Sequence, residues 1–371
     1  MVEYDKDIMF DDILTLDEDI IEIPKDQRKL TTQAYDKSVS DIVRMIQEGD
    51  IHLNPEYQRN YVWDNKRASL LVESIILNVP IPVIYVNQED DDSWTVIDGL
   101  QRLNTLKRFF ERDFKLRSLE ILDDLNGDDI KSLNPKAARI LKNGLLRVIV
   151  ISNDSHPDIK YDIFMRLNQG AIKLNEQELR NCLYRGKFNE LLKDIRDNKK
   201  FMKMLNRQEP HKRMMDSELI LRFLALSHYW IPEEEEIEEY NGRMKLFMNN
   251  FMAKQAKIDD NKLAYYEKLF NETVDKVYDI FGEKAFRRIN KDGEYEAPLN
   301  RAIMDCLMLS FTKFDKTILL KKKDEIIDRL KTLVVVDGDF RESVIKATSD
   351  KKVVQFRLNR WYKELKKVMN G

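Results

Sequence analysis

A chain of 371 residues is too long for one ordinary core and suits two domains. Hydrophobic residues make up 43% of it and charged residues 35%, which excludes wholesale disorder and predicts long solvated helix faces. A formal net charge of −3 excludes a uniformly basic nucleic-acid binder.

Residues 1–30 read as an acidic arm. Their sequence has no apolar signal core, and no stretch of the chain is apolar enough to span a bilayer, so a cytoplasmic location is expected. "SVSDIVRMIQEGD" (38–50) predicts a helix capped by Ser40, with Ile42, Val43, Met45 and Ile46 on its apolar face and Gly49 as its stop. "IHL" (51–53) is a short strand, and "NPEYQRNYVWD" (54–64) a loop rich in aromatic and polar groups. "NKRASLLVESIILN" (65–78) is amphipathic and ends before Pro80 and Pro82. "VIYV" (83–86) and "WTVI" (94–97) are strands joined by an acidic turn, and a helix follows from about Leu100 to Arg112. "LLRVIVI" (145–151) is short, apolar and β-branched, as a buried strand requires. "DIKYDIFMRLNQG" (158–170) is a helix ended by Gly170, and Asn175 with Glu178 three residues on forms a capping-box pattern.

From about residue 200 the strand signal almost vanishes and apolar residues recur at helical spacing. The expected fold is α+β: a small α/β domain over 31–200, then an α-helical domain over 201–371. Scarce glycine (11) and proline (9) also favour helix. Residues 321–371 carry 14 basic against 8 acidic side chains, while Glu233–Glu236, Glu238 and Glu239 form an acidic run; each is read as a solvated face. Cys182 and Cys306 stand far apart without a partner motif, so neither a disulfide framework nor a cysteine-rich zinc site is implied.

Three clusters carry chemistry. In "VIDGLQRLNTL" (96–106) an acid, a glycine and an arginine sit where a strand hands over to a helix. A helix start leaves backbone N–H groups unpaired and favours an anion. Gly99 lets a ligand approach the backbone, and the fork of Arg102 suits a phosphate. Asp98 could hold that guanidinium, a metal or a water; the plainer alternative is a cap paired with Arg102. The second cluster, 54–64, offers Asn54, Gln58 and Arg59 for polar contacts and Tyr57, Tyr61 or Trp63 for stacking on a base, against the alternative of a packing loop. The third places Arg166, Asn168 and Gln169 at one helix end before Gly170. The chain has no G-x-x-x-x-G-K-[ST], G-x-G-x-x-G or H-E-x-x-H motif, and His52, His156, His211 and His228 lack metal spacing.

In order, "NPEYQRNYVWD", "IPVIYV", "VIDGLQRLNTL" and "IFMRLNQGAIKLNEQELRN" resemble the N-terminal domain family of GmrSD-type modification-dependent restriction proteins. The resemblance spans roughly 40–180 and implies a ParB/sulfiredoxin-like fold. The family's D-G-Q-Q-R signature is met as Asp98-Gly99-Leu100-Gln101-Arg102, and its Q-R-x-x-x-W element as Gln58, Arg59 and Trp63. Leu100 replaces a glutamine, which would remove a polar group from the site. No clustered His and Asn ligands of an HNH-type nuclease follow residue 200.

The resemblance implies nucleotide binding or hydrolysis coupled to restriction of foreign DNA in a prokaryotic anti-phage defence system. As an enzyme, the domain would clamp phosphates with Arg59 and Arg102, hold Mg2+ or its water through Asp98, and orient the attacking water with Gln101. Gln58, Tyr61, Gly99, Arg166 and Asn168 would complete a site for a nucleoside triphosphate. A second reading is a non-catalytic module that senses nucleotide or DNA and recruits a separate nuclease subunit. A third is a ParB-like DNA nickase.

Overall fold

The computed structural model describes residues 30–53, 61–155, 157–167, 175–346 and 349–371. The chain forms two compact units that divide between Leu183 and Tyr184, upstream of the junction expected near 200. The division follows the packing of the helices. The helix Glu176–Leu183 packs on Pro157–Leu167, whereas Lys187–Ile195 packs on helices further along the chain.

The first unit is mixed α/β. In chain order it holds β1 (Thr32–Ser38), α1 (Val39–Glu48), β2 (Ile51–His52), α2 (Asn65–Ile76), β3 (Ile84–Gln88), β4 (Trp94–Asp98), α3 (Leu100–Phe110), α4 (Pro135–Asn143), β5 (Leu145–Ile151), α5 (Pro157–Leu167) and α6 (Glu176–Leu183). The strands join in the order β1-β5-β3-β4-β2. β3 and β5 run parallel, and β1–β5 and β3–β4 antiparallel. Tyr35 of β1 and Trp94 of β4 pack ring to ring at 5.6 Å although two strands lie between them, so the sheet is strongly curled.

Alternation along the strands sorts two cores. Ile84, Val86, Val96, Val148 and Val150 face α1 to α4, where Leu103, Leu106 and Phe109 are fully buried. Burying each such side chain stabilises by about 2 kcal/mol. Ile97 and Ile151 face the other way, against Tyr161 and Phe164 of α5 and Leu179 of α6. The expected face of α1 is buried, but its cap is Ser38, which accepts from the Asp41 N–H at 3.1 Å. Ser40 donates instead to the Lys142 carbonyl at 3.0 Å. At α6 the capping box is reciprocal, the Asn175 and Glu178 side chains each accepting the other's backbone N–H, at 2.8 and 2.6 Å.

The second unit is helical, with two short hairpins that the sequence pattern did not signal. One hairpin pairs Trp230–Ile231 with Glu236–Ile237 and the other Arg287–Ile289 with Tyr295–Leu299. At its centre Asp305, on the helix Arg301–Phe311, sits between two arginines. Arg222 donates to it at 2.7 Å and Arg357 at 3.1 Å, and all three are buried. The acidic run and the basic segment face each other rather than solvent alone: Glu236 meets Lys351 at 3.7 Å and Glu235 meets Lys363 at 2.5 Å.

Candidate functional site

The junction between β4 and α3 is built by three local features. First, β4 carries an extra residue: Tyr85 pairs with Asp98 while Val86 pairs with Val96. Such a bulge re-aims the next side chain, here Asp98. Second, Gly99 adopts φ +102, in the left-handed region that costs a side-chain-bearing residue strain. A Cβ there would also stand 3.0 Å from Ile84 Cγ1 and 3.3 Å from Arg102 Nη2. Third, α3 starts at once, and its first turn has no side-chain cap.

Arg102 is the anchor of this turn. Its Nη2 donates to Asp98 Oδ2 at 2.8 Å, and its Nη1 donates to the backbone carbonyls of Pro82 and of Val83, the latter at 3.3 Å. The Arg102 side chain is 12% exposed and that of Asp98 43%. The exposed group is therefore the carboxylate, and the guanidinium behind it holds it in place. Of the plainer reading the pairing of Asp98 with Arg102 holds, but Asp98 does not cap α3, whose first turn has no side-chain cap. Leu100 is buried in the core beside Leu103, so its departure from the family signature falls on the core side of α3 and takes no polar group away from Asp98.

Gln101 turns to the segment that enters α2. Its Oε1 accepts the Val62 N–H at 3.1 Å. One turn on, Thr105 meets the Tyr61 hydroxyl at 2.8 Å, and the Arg108 guanidinium lies over the Tyr61 ring at 4.2 Å. Tyr61 is thus engaged on one face, and Trp63 packs against the core. Asp64 caps α2 by accepting the Arg67 N–H at 2.8 Å. Thr105 and Arg108 had no place among the expected site residues. Their signal was the spacing from Gln101 by four and seven residues, which puts all three on one face of a helix.

Gln58, Arg59 and Asn168, like Asn54, Tyr57 and Gln169, lie outside the described residues. Arg166 is exposed in the last turn of α5. That helix leaves β5 and returns along the sheet; Leu167 packs with the cluster that contains Ile97, next to Asp98. The topology therefore brings the C-terminal end of α5, the β4–α3 turn and the Tyr61–Val62 segment to one end of the first unit. Among the described residues no group of three or more His, Cys, Asp or Glu could hold a metal ion. His52 Nε2 instead meets Ser93 Oγ at 3.1 Å, and His228 Nδ1 meets the Tyr266 hydroxyl at 3.2 Å. No described helix is long and apolar enough to cross a membrane.

A curled mixed sheet with helices on both faces, and a strand–glycine–helix turn bearing an anchored carboxylate, define the class: an α/β domain with a polar junction at one sheet end. Residues 39–185 match the family described as "GmrSD restriction endonuclease, N-terminal domain". No curated protein and no solved structure matches the chain significantly.

Proposed function

We propose that the first unit binds a nucleoside triphosphate at the Asp98–Gly99 turn, as the nucleotide-responsive domain of a DNA restriction or defence system. The family match supports the restriction context. The observation that carries the site is the exposed Asp98 carboxylate, held by Arg102 at the uncapped start of α3. Backbone N–H groups there favour phosphate, yet a carboxylate beside a phosphate repels it. A cation between the two removes the conflict, and the Asp98 oxygen that Arg102 does not take suits Mg2+. Phosphate oxygens and water would complete the coordination. Bound there, Mg2+ would neutralise phosphate charge.

Hydrolysis asks for more than binding. A guanidinium committed to Asp98, Pro82 and Val83 is not free to meet charge developing on a transferred phosphoryl group. This favours a domain that senses nucleotide and signals to a nuclease over one that turns nucleotide over through Arg102. Titration of each nucleoside triphosphate with Mg2+ into the full chain, with phosphate release read in parallel, tests both points. Binding lost in Asp98→Asn supports the site. Wild type that binds no nucleotide removes the proposal, and rapid phosphate release would restore the catalytic reading.

A further inference from the structure

The face of α3 that carries Gln101, Thr105 and Arg108 meets the Tyr61–Val62 segment. Thr105 Oγ1 gives its only proton to the Gln101 carbonyl at 2.8 Å, so in the 2.8 Å contact with Tyr61 the tyrosine donates. Arg108 is held over Tyr61 from behind by Phe114 at 5.4 Å, with Asp113 3.7 Å away. Its Nη1 is buried without a hydrogen-bond partner, so the stack rather than a paired donor fixes it. Val62 is 50% exposed, while Tyr61 and Trp63 on either side of it pack against the core. To that packing the segment adds a row of three directed contacts within two residues, one of them to the first turn of α3.

We infer that Gln101, Thr105 and Arg108 are positioning residues: they fasten Tyr61 and Val62 to α3 and thereby fix the first turn against which phosphate would bind. The inference rests on the nucleotide reading above and changes the role of Gln101. Its amide oxygen accepts the Val62 N–H, which makes it a brace for the helix start. Because the contacts work as one fastening, cutting any one of them releases the same constraint.

A double-mutant cycle on the full chain tests this, using ATP and GTP with Mg2+ as probes and hydrogen exchange at the Val62 amide as a second readout. Gln101→Met and Tyr61→Phe are each expected to weaken binding about tenfold and to speed Val62 exchange. The double variant is expected to bind no worse than the weaker single, because interacting sites are non-additive. Single variants that bind like wild type overturn the inference. So does a double variant whose loss is the product of the single losses, about a hundredfold, since that marks direct and separate ligand contacts. Tyr61→Phe deletes one hydroxyl and keeps the ring on Arg108, so it reports even if Gln101→Met folds poorly. If wild type binds neither nucleotide while Gln101→Met still speeds Val62 exchange, the nucleotide reading has failed. The fastening is then structural only, and the inference falls with that reading.

Discussion

Arg102 reaches three acceptors at once: the Asp98 carboxylate at 2.8 Å, the Val83 carbonyl at 3.3 Å and the Pro82 carbonyl. An arginine that only clamped a ligand would leave stability unchanged when removed. Here Arg102→Ala removes the donor from three acceptors, of which the Pro82 carbonyl is exposed and the Asp98 carboxylate 43% exposed, so the loss is about 1 kcal/mol. Arg102→Lys has no fork to span the strand lead and the carboxylate together, so it is expected to recover only part of the loss. Denaturant unfolding of the three proteins checks this; equal midpoints would return Arg102 to the role of a free phosphate ligand.

Gly99 joins the same turn from the backbone side. Gly99→Ala has to adopt φ +102 and place a methyl 3.0 Å from Ile84 Cγ1 and 3.3 Å from Arg102 Nη2. The strain alone costs about 1–3 kcal/mol. The push on the guanidinium is expected to disturb Asp98 as well, so nucleotide affinity and unfolding midpoint should fall together. A variant as stable as wild type would mean that the turn relaxes freely.

In the second unit Asp305 balances Arg222 and Arg357 where no solvent reaches. Asp305→Asn keeps the shape and removes the carboxylate that pairs with both buried arginines. Breaking a buried pair in this way costs about 3–5 kcal/mol. Circular dichroism melts should show a large drop in the transition of the helical unit. A shift comparable to that of a surface substitution would refute the charge-balance account.

Much of the first unit was legible because short-range chemistry decides it. The α1 face, the end of α2 before the prolines and the Asn175–Glu178 box each follow from residues within one or two turns. β1 was not legible: "TQAYDKS" is polar and mostly exposed, and it is a strand because seven residues find partners in β5, more than a hundred positions away. The cap of α1 was misplaced by two residues because Ser38 and Ser40 are equally good caps until the Lys142 carbonyl claims Ser40. At the site, the Asp98–Gly99–Arg102 geometry was readable from spacing. The depth of Leu100 and the turn of Gln101 toward Val62 were not, since both depend on how α3 lies on the sheet and on the incoming segment. The paired charges of Glu235 with Lys363 and Glu236 with Lys351 were hidden for the same reason, being local runs of one sign that meet only in three dimensions.

Lys160 of α5 offers a pH-dependent test of the second core. It is 9% exposed, and among the described residues its Nζ donates to the Asn153 carbonyl at 3.2 Å. Burial pushes its pKa below the ordinary 10.5, against the attraction of Glu89, Asp154 and Asp90. Below the depressed folded value both states carry the proton, and the native state bears the cost of a buried charge. As pH rises through that value the folded protein releases the proton first. The unfolded chain then holds more protons, so stability rises with pH until 10.5 is reached. Lys160→Met should abolish this alkaline rise and stabilise the neutral protein by about 1 kcal/mol, because it replaces a poorly paired buried charge with an apolar chain of similar length. Unfolding free energies of both proteins at neutral and alkaline pH decide it. A Lys160→Met protein less stable than wild type at neutral pH would show that the acidic neighbours more than offset burial.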